Sequence, residues 1–307
     1  RKLVNDIYLA NLAGYWKLGS EDNQAISASL RYFSLGEVSM TDDAGNGINS
    51  INPFEMAVDL GYSRKLSDSF SMGVALRYIY SDLAFDETMA TDDVKGASAF
   101  AADISGYYTT YPMVGRNECQ WSLGFNISNI GSKVSYSGGN EPAFLPANLK
   151  LGTMFMFPLA DYHTLALALD VNKLLVPVKP RLTDYEDQIA YEDALQDWKD
   201  MSPISGIFKS FNDAPGGFKE ELREITYSIG AEYSYNQQFF LRGGYYHESA
   251  YKGNRQYFGL GAGFALNVVR LDAAYMIATA QSSPLDQTLR FSLTFDMDGL
   301  RDLFGRR

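Results

Sequence analysis

Apolar and polar residues alternate along most of this 307-residue chain with a period of two, the spacing that sends successive side chains to opposite faces of a β-strand. In Thr288 to Asp296 the apolar set is Leu289, Phe291, Leu293 and Phe295, while Thr288, Arg290, Ser292, Thr294 and Asp296 face the other way. Phe70, Met72, Val74, Leu76, Tyr78 and Tyr80 repeat the pattern with Ser71, Gly73, Ala75 and Arg77 between them. Trp121, Leu123, Phe125 and Ile127 do so against Ser122, Gly124, Asn126 and Ser128, and Leu165, Leu167, Leu169 and Val171 against Ala166, Ala168, Asp170 and Asn172. The same reading of every segment predicts thirteen strands, near 4–18, 24–39, 54–66, 69–85, 98–111, 119–130, 147–158, 164–175, 223–236, 238–247, 257–266, 269–280 and 288–297. Most exceed the roughly 9–11 residues that a tilted strand needs to cross a bilayer.

The connections alternate as strictly as the residues do. Short turns follow every odd-numbered strand, among them Ser67-Asp68, Asn236-Gln237 and Asn267-Val268, and long loops follow the rest, at about 40–53, 86–97, 131–146, 176–222, 248–256 and 281–287. Tight turns at one end and long loops at the other are the mark of a membrane barrel. The expected class is therefore all-β, a transmembrane antiparallel β-barrel over 1–297 in the outer membrane of a Gram-negative bacterium. Its loops are extracellular, and residues 298–307 form a periplasmic C-terminal tail. Single-chain bacterial barrels have even strand numbers, so thirteen visible strands predict fourteen in the full protein, with at least one before Arg1. The start, Arg1-Lys2-Leu3-Val4, lacks the pattern of a secretory signal and leads straight into a strand, which fits the same expectation.

Composition narrows the reading further. Aromatic residues make up 14% of the chain, with 21 Tyr and 19 Phe, yet no apolar run reaches 18 residues and the mean hydropathy is only −0.19. That excludes a helical membrane protein and suits strands that turn every second side chain to lipid. A net charge of −11 argues against nucleic acid, whose phosphates call for clustered Lys and Arg. The single Cys119 completes neither an intrachain disulfide nor a cysteine-based metal site, and reads as a small residue at a strand start.

Catalytic chemistry finds little support in this chain. It has two histidines, His163 at a short turn and His247 beside Glu248, and neither G-x-S-x-G nor H-E-x-x-H occurs. The Gly259, Gly261 and Gly263 series lies inside an alternating strand with no helix after it, so it reads as structural rather than phosphate-binding. Arg31, Arg77, Arg242 and Arg290 take the non-lipid side, where pairing with Asp103, Asp170 or Glu232 is expected. Neither a cofactor nor a metal is expected, since the acidic stretch at 184–193 lacks the spacing of a calcium loop.

The insert at 176–222 is the exception to the strand pattern. It opens with Pro177 and Pro180, holds helix-like pieces around Tyr191 to Asp200 and Gly206 to Phe211, and is too long for a bare connection. Its Phe208, Phe211, Asn212, Asp213, Pro215 and Phe218 are the candidate partner-binding residues, with the aromatics and Pro215 as apolar anchors.

Several stretches resemble the PorV family, also called LptO, of the Bacteroidetes type IX secretion system. They are Phe144-Leu145-Pro146-Ala147-Asn148-Leu149-Lys150-Leu151-Gly152, Asp170-Val171-Asn172-Lys173-Leu174-Leu175-Val176-Pro177 and Asn212-Asp213-Ala214-Pro215-Gly216-Gly217-Phe218. Gly253-Asn254-Arg255-Gln256-Tyr257-Phe258-Gly259-Leu260-Gly261 and Pro284-Leu285-Asp286-Gln287-Thr288-Leu289-Arg290-Phe291 extend the match, which is specific from about 144 to 297 and follows pattern alone before that. PorQ and related barrels share parts of it. The resemblance implies a FadL-like barrel of fourteen strands that handles proteins. Such proteins bind the C-terminal signal domain of secreted cargo, accept it from the large translocon barrel, and carry it to the sortase complex that attaches cargo to surface lipopolysaccharide. The alternatives are FadL-like uptake of hydrophobic compounds, for which an apolar lumen path would be needed, and lipid A deacylation, for which the sequence offers no catalytic constellation.

Overall fold

The computed structural model describes residues 2–4, 7–19, 23–41, 47–83, 96–136, 142–279, 286–296 and 299. In chain order its first strands are β1 (Lys2–Val4), β2 (Ile7–Leu18), β3 (Gln24–Ser34), β4 (Val38–Thr41), β5 (Gly47–Ile51), β6 (Phe54–Lys65) and β7 (Phe70–Asp82). There follow β8 (Ala97–Thr110), β9 (Met113–Val114), β10 (Asn117–Glu118), β11 (Gln120–Gly131), β12 (Asn148–Ala160) and β13 (His163–Leu174). A 3-10 turn (Leu182–Asp184) and the helices α1 (Gln188–Asp200), α2 (Pro203–Lys209) and α3 (Phe218–Glu224) come next. The chain continues with β14 (Ile225–Tyr235), β15 (Phe239–His247), β16 (Gln256–Leu266), β17 (Val269–Ala278) and β18 (Thr288–Phe295).

Fourteen of these strands form one sheet in up-and-down order, while β4–β5 and β9–β10 are small hairpins within connections. This antiparallel meander is the strand order of a β-barrel protein. Thirteen of its strands have eight or more residues, as the alternation predicts, and the fourteenth is β1, which the pattern alone merges with β2. The strand expected over 24–39 stops at Ser34, because Val38–Ile51 turns back on itself as a hairpin. The strand expected from 223 begins at Ile225, because Phe218–Glu224 is helical. His163 opens β13 rather than sitting in a turn.

From β2 onward, short and long connections alternate as expected, and β1 adds a second short connection before them. The Tyr235–Gln238 turn closes with Gln238 N–H donating to Tyr235 O at 3.0 Å, and its central Asn236 and Gln237 have left-handed φ of 51° and 54°. Most of the loop at 86–97 and of the tail at 298–307 lies outside the described residues. Among the described residues no helix is long and apolar enough to cross a membrane, which says nothing of strands.

The chain divides into two compact units, residues 1–106, 126–149 and 174–215 in the first and 107–125, 150–173 and 216–307 in the second. In the first, Leu30, Val58, Leu60, Val74 and Leu76 stand exposed on one side of β3, β6 and β7, Leu76 to 68%, while Asp59 on the other side is only 8% exposed. That polar side is cross-linked by charge. Arg77 pairs with Asp59, donates to Asn129 Oδ1, and reaches Asp103 at 2.9 Å, while Ser29 donates to Asp59 at 2.6 Å and Arg31 approaches it at 3.3 Å. On the apolar side Tyr8, Tyr32, Phe54 and Tyr80 form a ladder of rings across four strands, with centroids 5.4 to 5.9 Å apart.

The second unit repeats the division. Leu167, Ile229, Leu241 and Leu260 share one exposed side, and on the other Arg242 donates to Glu232 at 2.5 Å and to Asp272 at 2.6 Å. Asp170 pairs with Lys150 at 3.2 Å and not with one of the four arginines, and Arg290 makes no ion pair among the described residues. Two groups of rings bracket the aliphatic band. His163, Tyr235, Phe239 and Phe264 lie toward the short turns, and Tyr227, His247, Tyr245 and Phe258 at the opposite ends of the same strands. Tyr227 and Tyr235 are eight residues apart on β14, about 26 Å along a strand. An exposed aliphatic band with aromatic girdles at both edges is the lipid-facing surface of a membrane strand array. Water would leave such a band uncompensated.

Candidate partner-binding site

The insert leaves the sheet where Leu175 N–H donates to Ala147 O at 2.7 Å, and Pro177 and Pro180 then forbid a further ladder. Its two ends are tied together, Val178 N–H donating to Asp213 Oδ2 at 2.8 Å. Helix α1 starts at Asp187, whose carboxylate caps it by accepting from Ala190 N–H at 2.7 Å. In its last turn Trp198 is buried, donating from Nε1 to Pro177 O at 3.2 Å and meeting Phe144 edge-on at 5.1 Å. Lys133 lies 4.2 Å over the Phe144 ring and donates to the carbonyls of Trp198 and Lys199, satisfying the end of α1. Burial holds its ammonium below the ordinary lysine value, against the opposing pull of Asp200.

Helix α2 is capped by Ser202, which accepts from Ser205 N–H at 3.2 Å, and Pro203 occupies its first turn. It packs inward through Gly206, where a Cβ would stand 2.8 Å from the Phe144 ring and 3.1 Å from Pro177. Ser210 is buried one turn later. Ile204 and Phe208, four residues apart, consequently share the opposite face, and Phe208 is 73% exposed. Phe211 follows, also exposed, then exposed Asn212, half-buried Asp213, buried Ala214 and exposed Pro215. The structure thus brings Phe208 and Phe211 onto one short outward segment, gives Asp213 the job of closing the insert, and places Phe218 in the second unit, on α3. Trp198, Phe144 and Lys133, which hold the insert together, were not singled out from sequence. The signal was there in the one tryptophan of an otherwise acidic helix.

Among the described residues no three His, Cys, Asp or Glu side chains converge as metal ligands would. His247 stacks on Tyr227 at 4.8 Å within a girdle, and His163 hydrogen-bonds the Tyr233 hydroxyl at 2.5 Å. Cys119 is buried just ahead of β11.

Residues 1–181 match the family model described as Type IX secretion system protein PorV. No curated protein matches the chain. Among solved structures the chain is similar to the toluene transporter TodX of Pseudomonas putida, at 13% identity and a TM-score of 0.42, with 92% of this chain and 79% of that one covered. It is also similar to BamA of Haemophilus ducreyi lacking POTRA domains 1–3, at 9% identity and a TM-score of 0.43, covering 94% and 62%. A FadL homologue of Pseudomonas aeruginosa aligns at 10% identity and a TM-score of 0.35, covering 92% and 74%.

Proposed function

The chain belongs to the PorV family of type IX secretion system proteins, and on that premise we propose that it binds the C-terminal signal domain of secreted cargo and shuttles it across the cell surface. In this reading the large translocon barrel hands the cargo over, and the sortase complex receives it for attachment to lipopolysaccharide. The protein is an outer-membrane barrel, and its role is binding and transfer. The observation that carries the proposal is the outward segment of the insert. Phe208, Phe211 and Ile204 are exposed although the insert packs inward elsewhere, where Trp198 and Gly206 meet both Pro177 and Phe144, the latter from the preceding long loop. Large apolar side chains that a structure positions but does not use for its own packing mark an interaction site. Covering one phenylalanine is worth about 1.5–3 kcal/mol, and Asn212 and Pro215 border the same segment as its polar and rigid rim.

The test is Phe208→Ala together with Phe211→Ala, with assembly verified by heat-modifiable migration and capture of a cargo signal domain and of the translocon measured separately. Truncation of buried aromatic anchors typically costs about 2 kcal/mol, roughly a thirtyfold loss of affinity, and a loss of that order is expected for at least the cargo domain. A folded variant that captures both partners undiminished removes this segment from the binding surface.

A further inference from the structure

Helix α3 is inside out. Its sequence, Phe218 to Glu224, holds three acids and two large apolar residues, and the acids are the part turned toward the protein. Lys173 Nζ donates to Glu221 and Glu224, each at 2.8 Å, and Lys252 Nζ donates to Glu220 at 2.7 Å and Glu224 at 3.0 Å. Glu221 is buried beneath the helix, while Phe218 and Leu222, four residues apart on the other face, are exposed, Phe218 to 76%. Tyr251 is 77% exposed beside them, and the Arg223 guanidinium lies 4.5 Å over its ring. With the carboxylates taken up by Lys173 and Lys252, the charges left on the outer face are those of Lys219 and Arg223.

The register says which side of the sheet this helix covers. β13 pairs with β14 without a break from His163 to Lys173, so Lys173 shares the side of Leu165, Leu167, Leu169 and Val171, the lipid-facing one. Its pairing partner Ile225 continues directly from α3, and two residues further Tyr227 stacks on His247 in the girdle. The helix therefore sits where the lipid-facing band ends at the level of the headgroups. A lysine on that side calls for a cover, and the cover brings its own apolar face.

We propose that α3 and Tyr251 form an interfacial anchor for phosphate-bearing membrane lipid. Phe218, Leu222 and Tyr251 enter the boundary between acyl chains and headgroups, and Lys219 and Arg223 meet the phosphates. Aromatic and aliphatic residues flanked by Lys or Arg are the composition such a surface selects, and continuity with the aromatic girdle supplies the location. The anchor would hold the connection between β13 and β14 against the membrane, independently of what the outward residues of α2 bind.

The test uses the full chain in proteoliposomes, with Cys119→Ser as background and a nitroxide attached at Phe218→Cys, Leu222→Cys, Tyr251→Cys or, as a water-exposed reference, Ile189→Cys. Folding is checked by heat-modifiable migration, and accessibility to oxygen and to a polar nickel complex is read in vesicles of phosphatidylethanolamine alone or with phosphatidylglycerol. The proposal expects oxygen to dominate at 218, 222 and 251 but not at 189. In anionic vesicles the preference should deepen and should relax when Lys219→Glu and Arg223→Glu are added. Water-like accessibility at 218 and 222 in both vesicles overturns the anchor. Depth left unchanged by Lys219→Glu and Arg223→Glu in anionic vesicles overturns the assignment of Lys219 and Arg223 to phosphates. Shielding from both reagents that arises only on adding the translocon or a cargo domain overturns the lipid in favour of a protein.

Discussion

Glu248 receives three hydrogen bonds from one residue, from Arg255 Nε at 2.7 Å, Arg255 Nη2 at 2.9 Å and the Arg255 backbone N–H at 3.1 Å, and its side chain is almost wholly covered. These bonds, those of the Arg255 side chain above all, hold the carboxyl below the ordinary glutamate value of 4.5, outweighing the burial that opposes them. A carboxyl whose folded value is depressed contributes stability that is fully present above 4.5 and is lost as pH falls through the lower, folded value. The latch on residues 248–255 is therefore expected to persist from neutral pH down past the usual carboxylate range and to open only below it. Hydrogen exchange of this segment against pH measures that directly, and Glu248→Gln should open it already at pH 7. Gly253 is part of the same device, because its φ of 131° suits glycine alone and a Cβ there would stand 2.6 Å from the Glu248 carboxylate. Gly253→Ala should raise exchange at every pH, and an unchanged segment in both variants would show the latch to be inert.

Strands were legible because their signal is local, whereas α3 and the ion pairs were not because theirs is carried by register. Val74 and Arg77 fall on opposite sides whatever the rest of the chain does, since period-two alternation belongs to the strand itself. That Arg77 would find Asp59 as well as Asp103, or Arg242 find Asp272 as well as Glu232, depends on which residues the pairing sets side by side. α3 defeats pattern reading for a sharper reason. Its apolar residues point out and its acids in, as Lys173 and Lys252 dictate from distant parts of the chain. In the insert, length and aromatics revealed Phe208 and Phe211, but the packing of Gly206 on Phe144 that turns Phe208 outward is a tertiary fact. At this scale the two sides of a strand should respond unequally to charge. Val74→Arg or Leu293→Arg should cost about 2–4 kcal/mol if near mid-membrane, whereas Arg290→Leu on the opposite side should perturb lipid packing far less. Unfolding in liposomes against denaturant measures the difference, and equal tolerance of both sides would argue for a water-soluble sheet.

For the whole molecule, the central claim is a sheet whose apolar side meets lipid, and the proposal built on it puts the short and long connections on opposite sides of the outer membrane, the long ones outside with the insert proposed to bind partners. Family membership supplies the membrane and the secretion system. The alternation of connections assigns Ser67-Asp68, Asp161-Tyr162 and Asn236-Gln237 to the short set and the insert and residues 248–255 to the long one. Single cysteines at 68, 161, 190, 237 and 252 in a Cys119→Ser background, labelled on intact cells with a membrane-impermeant maleimide, test that claim most directly. The expected result is labelling at 190 and 252 with 68, 161 and 237 reacting only after the outer membrane is opened. Labelling of 68, 161 and 237 on intact cells, with 190 and 252 protected, would contradict it.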